Sequence, residues 1–408
     1  MVTYGSLRCV RRDGGSGNAL EGEHRSRTRL DDNGPPSARL ADPLPYPTRG
    51  GSPPTESSCW TKASDRKLTE KVVMYRTVRR HVIVVATLAA PLLLGSAVQA
   101  TAAPADGRAR ISTAFEIPGD RVYPEGITAD PHTGDLYVGS FEGGAIFRAK
   151  PGQRVAEEFL PARGDGRTQA LGLEVDQARR LWVMDRLTGL AVYDIPSRRL
   201  LARFVVPNQL PRLVNDVAIT PDGTAYITES RQAVVYRVTP EQLAEAGEQG
   251  GEVPLTPAFD LSKVVEPHEP NTITLNGIVA GPSGRYLLTV DMTGGDLYRI
   301  ALPSGKVDKV ALSGGDLLTG DGMELQNGTL WAVHPITNAN AVSRWRIGSD
   351  GRTARLTRRL TDPALGTPTT LLRKDGKLYV VRSQFDKGGP TGPGTPQLPF
   401  SVALVRGF

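Results

Sequence analysis

Four side chains with oxygen atoms occupy the same position of a repeated phrase in this sequence. They are Glu125, Asn215, Asn276 and Asp321, and two further copies of the phrase carry Leu171 and Thr369 there. Carboxylate and amide oxygens are the ligands that Ca²⁺ prefers, and no histidine or thiolate stands at these positions to favour zinc. If the copies converge in space, the pattern predicts a divalent-cation site of the kind that calcium occupies.

A second interpretation of two of these residues is local. Asn276 and Asp321 each precede a glycine, and Asn-Gly and Asp-Gly are strong hairpin-turn signals. However, each phrase has its own turn some five to nine residues later, for example at residues 221–223 and 326–328. The spacing therefore favours a shared site, with separate turns as the alternative.

A sixfold repeat provides the elements that must position these side chains. Each copy is a short apolar run, a polar turn and a second run that opens on Leu, Tyr or Trp. The copies are YPEGITADPHTGDLYVGS from Tyr123, QALGLEVDQARRLWVMD from Gln169, LVNDVAITPDGTAYITES from Leu213, LNGIVAGPSGRYLLTVD from Leu275, GDGMELQNGTLWAV from Gly320 and GTPTTLLRKDGKLYVVR from Gly366. The marked position recurs every 44 to 48 residues, except for one interval of 61 that contains a helix-prone stretch at 239–246.

This period, with several strands per copy, predicts an all-β fold, a six-bladed β-propeller whose inner strands surround one axis. An open double-sheet sandwich is the alternative. Pairing of residues 112–117 with residues 401–406 is expected to close the ring, because it removes an exposed sheet edge.

The residues that precede the repeats have a different composition. Residues 1–73 are rich in Gly, Ser, Pro and Arg, which predicts a disordered or upstream extension. Residues 74–102 have the basic, apolar and small-residue order of a signal peptide beginning at Met74. A transmembrane anchor is the alternative, but the apolar run is short and contains Pro91. We therefore expect a secreted protein without a stable membrane anchor, exported by the general or the twin-arginine route, with the propeller at 103–408.

Charge and cysteine content exclude several classes of function. Residues 1–103 carry 15 Lys or Arg and 9 Asp or Glu, whereas the remaining residues carry 34 of each. The net charge of +6 thus belongs to the leader and is no sign of a nucleic-acid partner. Both cysteines, Cys9 and Cys59, also lie in the leader, so the repeat region has neither disulfides nor thiolate chemistry.

The repeat region resembles the family of gluconolactonase, senescence marker protein and luciferin-regenerating enzyme. The resemblance is carried by four dipeptides in order, in the first, third, fourth and fifth copies: Glu-Gly, Asn-Asp, Asn-Gly and Asp-Gly. Diisopropylfluorophosphatase and paraoxonase share that architecture. The resemblance covers the whole repeat region. It implies a divalent cation, usually calcium, at the base of an active-site tunnel, with Glu125, Asn276 and Asp321 as direct ligands. Asn215 is then a further ligand, or a contact to the substrate or to metal-bound water.

The same resemblance implies a hydrolase of lactones or related esters. The cation polarises the carbonyl or phosphoryl oxygen of the substrate, and Asp321 acts as general base or as nucleophile. The alternative is a non-catalytic binding module with a structural cation, because propellers have many unrelated functions.

One position departs from that family and bears on the substrate. Its sugar-lactone members carry an Arg two residues before the third-copy Asn, where this chain has Leu213, and Arg212 is one residue out of phase. One step along a strand places a side chain on the opposite face, so a less polar lactone or ester fits at least as well as an aldonolactone. Besides Asn215, the candidate substrate contacts are Arg212 and His334, with a structural or solvated histidine as the alternative for His334.

Overall fold

The computed structural model describes residues 109–207, 212–336 and 339–408. They form an all-β propeller of six blades, which confirms the fold predicted from the repeat. The predicted extension at 1–73 and the predicted signal peptide at 74–102 lie outside the described residues. Within the described part, no helix has the length and apolar character needed to cross a membrane.

The first half of the propeller contains blades one to three, and β1 (Arg110–Ile117) precedes them. Blade one contains β2 (Pro124–Ala129), β3 (Leu136–Ser140), β4 (Ile146–Ala149) and β5 (Glu157–Leu160). Blade two contains β6 (Ala170–Val175), β7 (Arg180–Asp185), β8 (Gly189–Asp194) and β9 (Leu200–Val205). Blade three contains β10 (Val214–Ile219), β11 (Ala225–Glu229), β12 (Val234–Val238) and, after helix α1 (Pro240–Gln249) and strand β13 (Glu252–Pro254), β14 (Thr256–Asp260).

The second half contains blades four to six. Blade four contains β15 (Leu275–Ala280), β16 (Tyr286–Asp291), β17 (Asp296–Ala301) and β18 (Lys306–Lys309). Blade five contains β19 (Ala311–Ser313), β20 (Met323–Gln326), β21 (Thr329–His334), β22 (Ala341–Ile347) and β23 (Thr353–Thr361). A short 3₁₀ helix (Pro363–Leu365) leads to blade six with β24 (Leu371–Lys374), β25 (Lys377–Arg382) and β26 (Phe400–Arg406). Neighbouring strands are antiparallel, except that β13 and β19 pair in parallel with the outer strands β9 and β23.

The two ends of the described chain meet in blade six. Strand β1 pairs antiparallel with β26, with Ile111 opposite Val405 and Ile117 opposite Phe400. The predicted pairing of residues 112–117 with 401–406 is confirmed. This pairing closes the ring of blades and leaves no free sheet edge where the two ends meet.

The helix-prone stretch in the long interval is helix α1. Thr239 caps its N-terminus, since Gln242 N donates to Thr239 Oγ1 at 3.2 Å and Thr239 N donates to Gln242 Oε1 at 2.9 Å. Its apolar side, with Leu243 and Ala246, is buried in the cluster between blades two and three. The helix contacts the outer strand β9, so the insertion lies at the rim.

Apolar side chains between adjacent blades form the core. In the described part of the chain, each neighbouring pair of blades has its own buried cluster. Both faces of a blade are covered in this arrangement, so strands such as β3 and β16 are buried at every residue. A polar side chain on an inner strand therefore costs free energy unless it finds a partner or borders a cavity.

Candidate metal-binding site in the axial cavity

One cavity at the inner strands brings together the marked position of all six repeats. Its volume is about 320 Å³. The six residues that line it from this position are Glu125, Leu171, Asn215, Asn276, Asp321 and Thr369. The four predicted ligands among them are at most 7% exposed. They meet because equivalent positions on six inner strands surround one axis.

The glycines that follow these residues allow the inner strands to approach one another. A Cβ on Gly126 would lie 2.1 Å from the carbonyl oxygen of Leu171, and one on Gly277 would lie 2.4 Å from that of Asp321. Neither glycine has a positive φ, and Gly277 lies within strand β15. The turn interpretation is therefore wrong for Asn276-Gly277, since the glycine is needed for close packing around the axis.

The amide nitrogens of both asparagines have side-chain contacts. Asn215 Nδ2 donates to Ser230 Oγ at 2.9 Å, and Asn276 Nδ2 lies 3.2 Å from Met292 Sδ. Within the described residues, neither amide oxygen accepts a hydrogen bond. These contacts hold the amide nitrogens and leave two oxygens available as ligands.

Threonines from neighbouring blades hold the backbone of the site. Thr228 Oγ1 donates to the carbonyl oxygen of Asn276 at 2.9 Å. Thr369 Oγ1 donates to the carbonyl oxygen of Glu125 at 2.8 Å, which links blade six to blade one. The site thus rests on hydrogen bonds between blades as well as on the strands that carry its side chains.

The two carboxyl groups of the site lie in an unfavourable environment for their charged forms. Burial raises the pKa of Glu125 well above its usual range, and the charge of Asp321 raises it further. Burial, followed by the charge of Asp216, likewise raises the pKa of Asp321. Glu125 Oε2 is buried and has no hydrogen-bond partner among the described residues. An orphaned carboxylate oxygen in such a place is the kind of atom that a cation stabilises.

The donor set fits a hard divalent cation. Two carboxylates balance its charge, and two amide oxygens complete a set that calcium accepts in irregular geometry. Within the described part of the chain, no three Asp, Glu, His or Cys side chains are grouped to hold a metal. A site here consequently depends on the amides of Asn215 and Asn276, which suits calcium better than zinc.

Two predicted substrate contacts are not among the residues that line this cavity. Arg212 Nη1 donates to the carbonyl oxygen of Val206 at 3.3 Å. His334 is fully buried, with Nδ1 2.9 Å from the carbonyl oxygen of Leu318 and Nε2 2.7 Å from Ser343 Oγ. Burial lowers the pKa of His334 to about 4, so the ring is neutral at pH 7. Both ring nitrogens are occupied within the blade, which leaves none for a ligand.

A second set of residues also lines the cavity, and it includes an arginine that the sequence analysis did not single out. It consists of residues that directly follow the second strands of blades one, two, four and five, namely Phe141, Arg186, Met292 and Pro335. The sequence signal that could have found Arg186 is its register, immediately after the run LWVMD of the second copy. Leu213, Ile273 and Phe385 add apolar surface, so the cavity has a polar base beneath a mostly apolar wall.

Acidic side chains also lie further along the inner strands, three residues beyond the marked position. Glu174 and Glu324 line a separate cavity of about 150 Å³ together with Asp216. Burial raises the pKa of Asp216 to about 6 and that of Glu324 to about 7, and it raises the pKa of Glu174. Ionisation of these groups lowers the stability of the folded protein.

We predict that replacing Glu324 with Gln stabilises the fold in a pH-dependent manner. The pKa of this carboxyl rises from 4.5 to about 7 on folding, so its contribution to stability is lost as the pH rises from 4.5 through 7. The neutral amide avoids this loss. The free energy of unfolding should increase by up to about 3 kcal/mol at pH 8 and by little at pH 4.5.

Urea denaturation of Glu324→Gln and of the wild type at the two pH values measures this difference. Glu248→Gln, which changes an exposed carboxyl on α1, is the matched control and should have little effect at either pH. An equal gain for Glu324→Gln at both pH values would show that the buried charge is not its cause.

Comparison with known proteins finds relatives at the level of structure. No family model and no curated protein sequence matches the chain. A gluconolactonase from Xanthomonas campestris is 18% identical with a TM-score of 0.50, over 73% of this chain and 89% of that chain. Mala s 1, the major allergen of Malassezia sympodialis, is 14% identical with a TM-score of 0.51, over 71% and 95%. Regucalcin from Agrobacterium tumefaciens, described as a calcium-binding protein, is 19% identical with a TM-score of 0.48, over 72% and 95%.

The structural neighbours include gluconolactonase-like and regucalcin-like propellers. The gluconolactonase has the propeller fold that the ordered dipeptides predict. At such low identity the likeness establishes the fold alone. The chemistry must be argued from the residues that this chain places in its own cavity.

Proposed function

We propose that the protein is a divalent-cation-dependent hydrolase of lactones or related esters, with Ca²⁺ as the expected ion. Glu125, Asn215, Asn276 and Asp321 would hold the cation at the base of the axial cavity. The observation that carries the proposal is the meeting of two buried carboxylates and two available amide oxygens in a cavity of small-molecule size. The occurrence of a gluconolactonase among the structural neighbours is consistent with it.

Asp321 has the central role in the proposed reaction. A bound divalent cation supplies Lewis-acid polarisation of the substrate carbonyl. Asp321 would either accept the proton of the attacking water on a carboxylate oxygen or attack the carbonyl carbon itself. In the second route the ester oxygen leaves as the alcohol, and water then hydrolyses the acyl-enzyme and releases Asp321. Asn215 and Asn276 would hold the cation through their amide oxygens and so fix its position relative to Asp321. The apolar wall receives the carbon skeleton of the substrate and excludes water, which strengthens electrostatic interactions at the base.

Export is part of the same proposal. We infer that Met74 begins a signal peptide and that the propeller acts outside the cytoplasm, where calcium is abundant. The ordering of basic, apolar and small residues at 74–102 supports this inference. A small-molecule lactone or ester is the proposed partner.

A panel of lactones, aryl esters and organophosphates, assayed with and without chelator, tests the proposed function. We expect at least one lactone or ester to be hydrolysed, with the rate falling about 100-fold or more in EDTA and returning when Ca²⁺ is added. Calcium should also raise the melting temperature, because it binds the folded state alone.

The two function classes predict different results in these assays. A calcium-dependent rise in melting temperature without turnover of any panel member would favour the binding module. Turnover that is insensitive to chelator would rule out the proposed role of the cation.

A further inference from the structure

Arg186 is the one cation among the described residues that line the axial cavity, and it lacks a partner there. Its Nε is buried without a hydrogen-bond acceptor, and its guanidinium forms no ion pair within the described part of the chain. Asp386 lines the same cavity but accepts a hydrogen bond from Thr367 Oγ1. The adjacent Asp185 accepts the backbone N–H groups of Thr168 at 2.7 Å and of its own turn.

A second arginine increases the positive charge behind Arg186. Arg231 lies in the corresponding turn of the next blade, and its Nε is also buried without a partner among the described residues. Burial, followed by the charge of Arg231, lowers the pKa of Arg186. Glu229, whose charge interacts with that of Arg231, already accepts the N–H groups of Leu213 and Gln232 at 2.6 Å each. Within the described residues neither Arg186 nor Arg231 forms an ion pair with a carboxylate, and each has a buried Nε without a partner, so an anion in the cavity could pair with Arg186.

Stacking on an aromatic ring does not account for Arg186. Its Cζ lies 6.0 Å from the ring centre of Phe141, at the outer limit of cation–π contacts. Such a contact leaves the buried Nε–H of the guanidinium without an acceptor. A guanidinium that has unpaired donors at the wall of a cavity is suited to bind a carboxylate in a bidentate manner.

We propose that Arg186, with Arg231 behind it, binds a carboxylate of the substrate, so that the enzyme acts on lactones or esters that carry a free carboxylate. This inference rests on the proposed function and names the substrate class of the same cavity. The reacting carbonyl lies at the polar base, near Glu125 and Asp321. The carboxylate of the substrate lies at the wall of the cavity, against Arg186. Arg186 is thus a specificity-determining residue.

A matched pair of substrates tests the inference: a lactone with a carboxylate on its side chain, and the corresponding primary carboxamide. We expect the wild type to prefer the carboxylate, as measured by kcat/KM. Arg186→Gln should lower kcat/KM for the carboxylate by about 10- to 100-fold, mainly through KM, as expected for the loss of charged hydrogen bonds. Arg186→Lys should recover part of the preference, since it keeps the charge but not the fork.

The exposed Arg352 provides a matched control. Arg352 donates to Asp308 on the surface at 2.7 Å, and Arg352→Gln should leave the preference for the carboxylate unchanged. If the wild type does not prefer the carboxylate, or if Arg186→Gln retains that preference, the inference is overturned.

A binding measurement separates this inference from the proposed function. Calorimetry with butyrate and with butyramide, in the presence of EDTA, reports anion binding without turnover or cation. We expect butyrate to bind the wild type and to bind Arg186→Gln about 10-fold more weakly or worse, with butyramide weak on both. Butyrate binding without any lactone turnover would support the anion site while the proposed function fails. Equal binding of butyrate to both proteins would overturn the anion site whatever the turnover.

Discussion

Replacing Asp321 with Asn is expected to lower kcat/KM for the preferred lactone by about 1,000-fold or more and to abolish stabilisation by calcium. The variant keeps the size of the side chain but removes the candidate base or nucleophile, whose loss commonly costs two to four orders of magnitude. It also removes one of the two carboxylates that would balance the cation. The measurements are steady-state kinetics and melting temperatures with and without Ca²⁺.

The stability of Asp321→Asn without calcium distinguishes a lost function from a damaged fold. Burial and the nearby charges raise the pKa values of Glu125 and Asp321, so their ionised forms destabilise the cation-free protein at pH 8. The amide at position 321 relieves this repulsion. We therefore expect the cation-free variant to melt at a temperature equal to or above that of the wild type.

Asp386→Asn is the matched control for this prediction. It removes a carboxyl that lines the same cavity and is hydrogen-bonded to Thr367, but leaves the four candidate ligand oxygens in place. The rise in melting temperature with calcium should persist in this control. If calcium raises the melting temperature of Asp321→Asn as much as that of the wild type, and the variant retains turnover, both roles assigned to Asp321 are contradicted.

The sequence was sufficient to place the base of the cavity because its residues share one repeat position. Inner strands of a propeller bring equivalent positions together whatever the side chains, so Glu125, Asn215, Asn276 and Asp321 could be grouped without coordinates. The closure of β1 on β26 could be predicted for a related reason, since a ring without it would expose two sheet edges.

The residues in the wall of the cavity could not be predicted from the sequence. They lie at the ends of strands, where a shift of one residue decides whether a side chain faces the cavity or the blade. His334 ends β21 and turns into its blade to meet Ser343, whereas Pro335, the next residue, borders the cavity. Leu213 borders the cavity, whereas its neighbour Arg212 does not. A single step reverses the side of a strand that a residue occupies, and strand ends are the least certain part of a sequence pattern. Arg186 lies at such an end.

Substitution of a glycine beside the site is expected to have a large effect on the stability of the fold. Gly277→Ala should lower the free energy of unfolding by about 3 kcal/mol or more, since its Cβ would lie 2.4 Å from the carbonyl oxygen of Asp321. That oxygen belongs to the backbone of the next blade, so relief requires blades four and five to separate. If Asn276-Gly277 were an exposed hairpin turn, the cost would be only about 1 kcal/mol.

A glycine on the rim supplies the control that separates these two explanations by urea denaturation. Gly247 lies in α1, where a Cβ would meet the carbonyl oxygen of Leu201 at an ordinary 3.4 Å. Gly247→Ala should stabilise the protein by about 0.5–1 kcal/mol through helix propensity. If Gly277→Ala stays within about 1 kcal/mol of the wild type, the close approach of blades four and five is not a constraint, and the packing argument for the site fails. A large loss confined to Gly277→Ala would instead link the recurring glycine to the same geometry that brings the four ligand residues together.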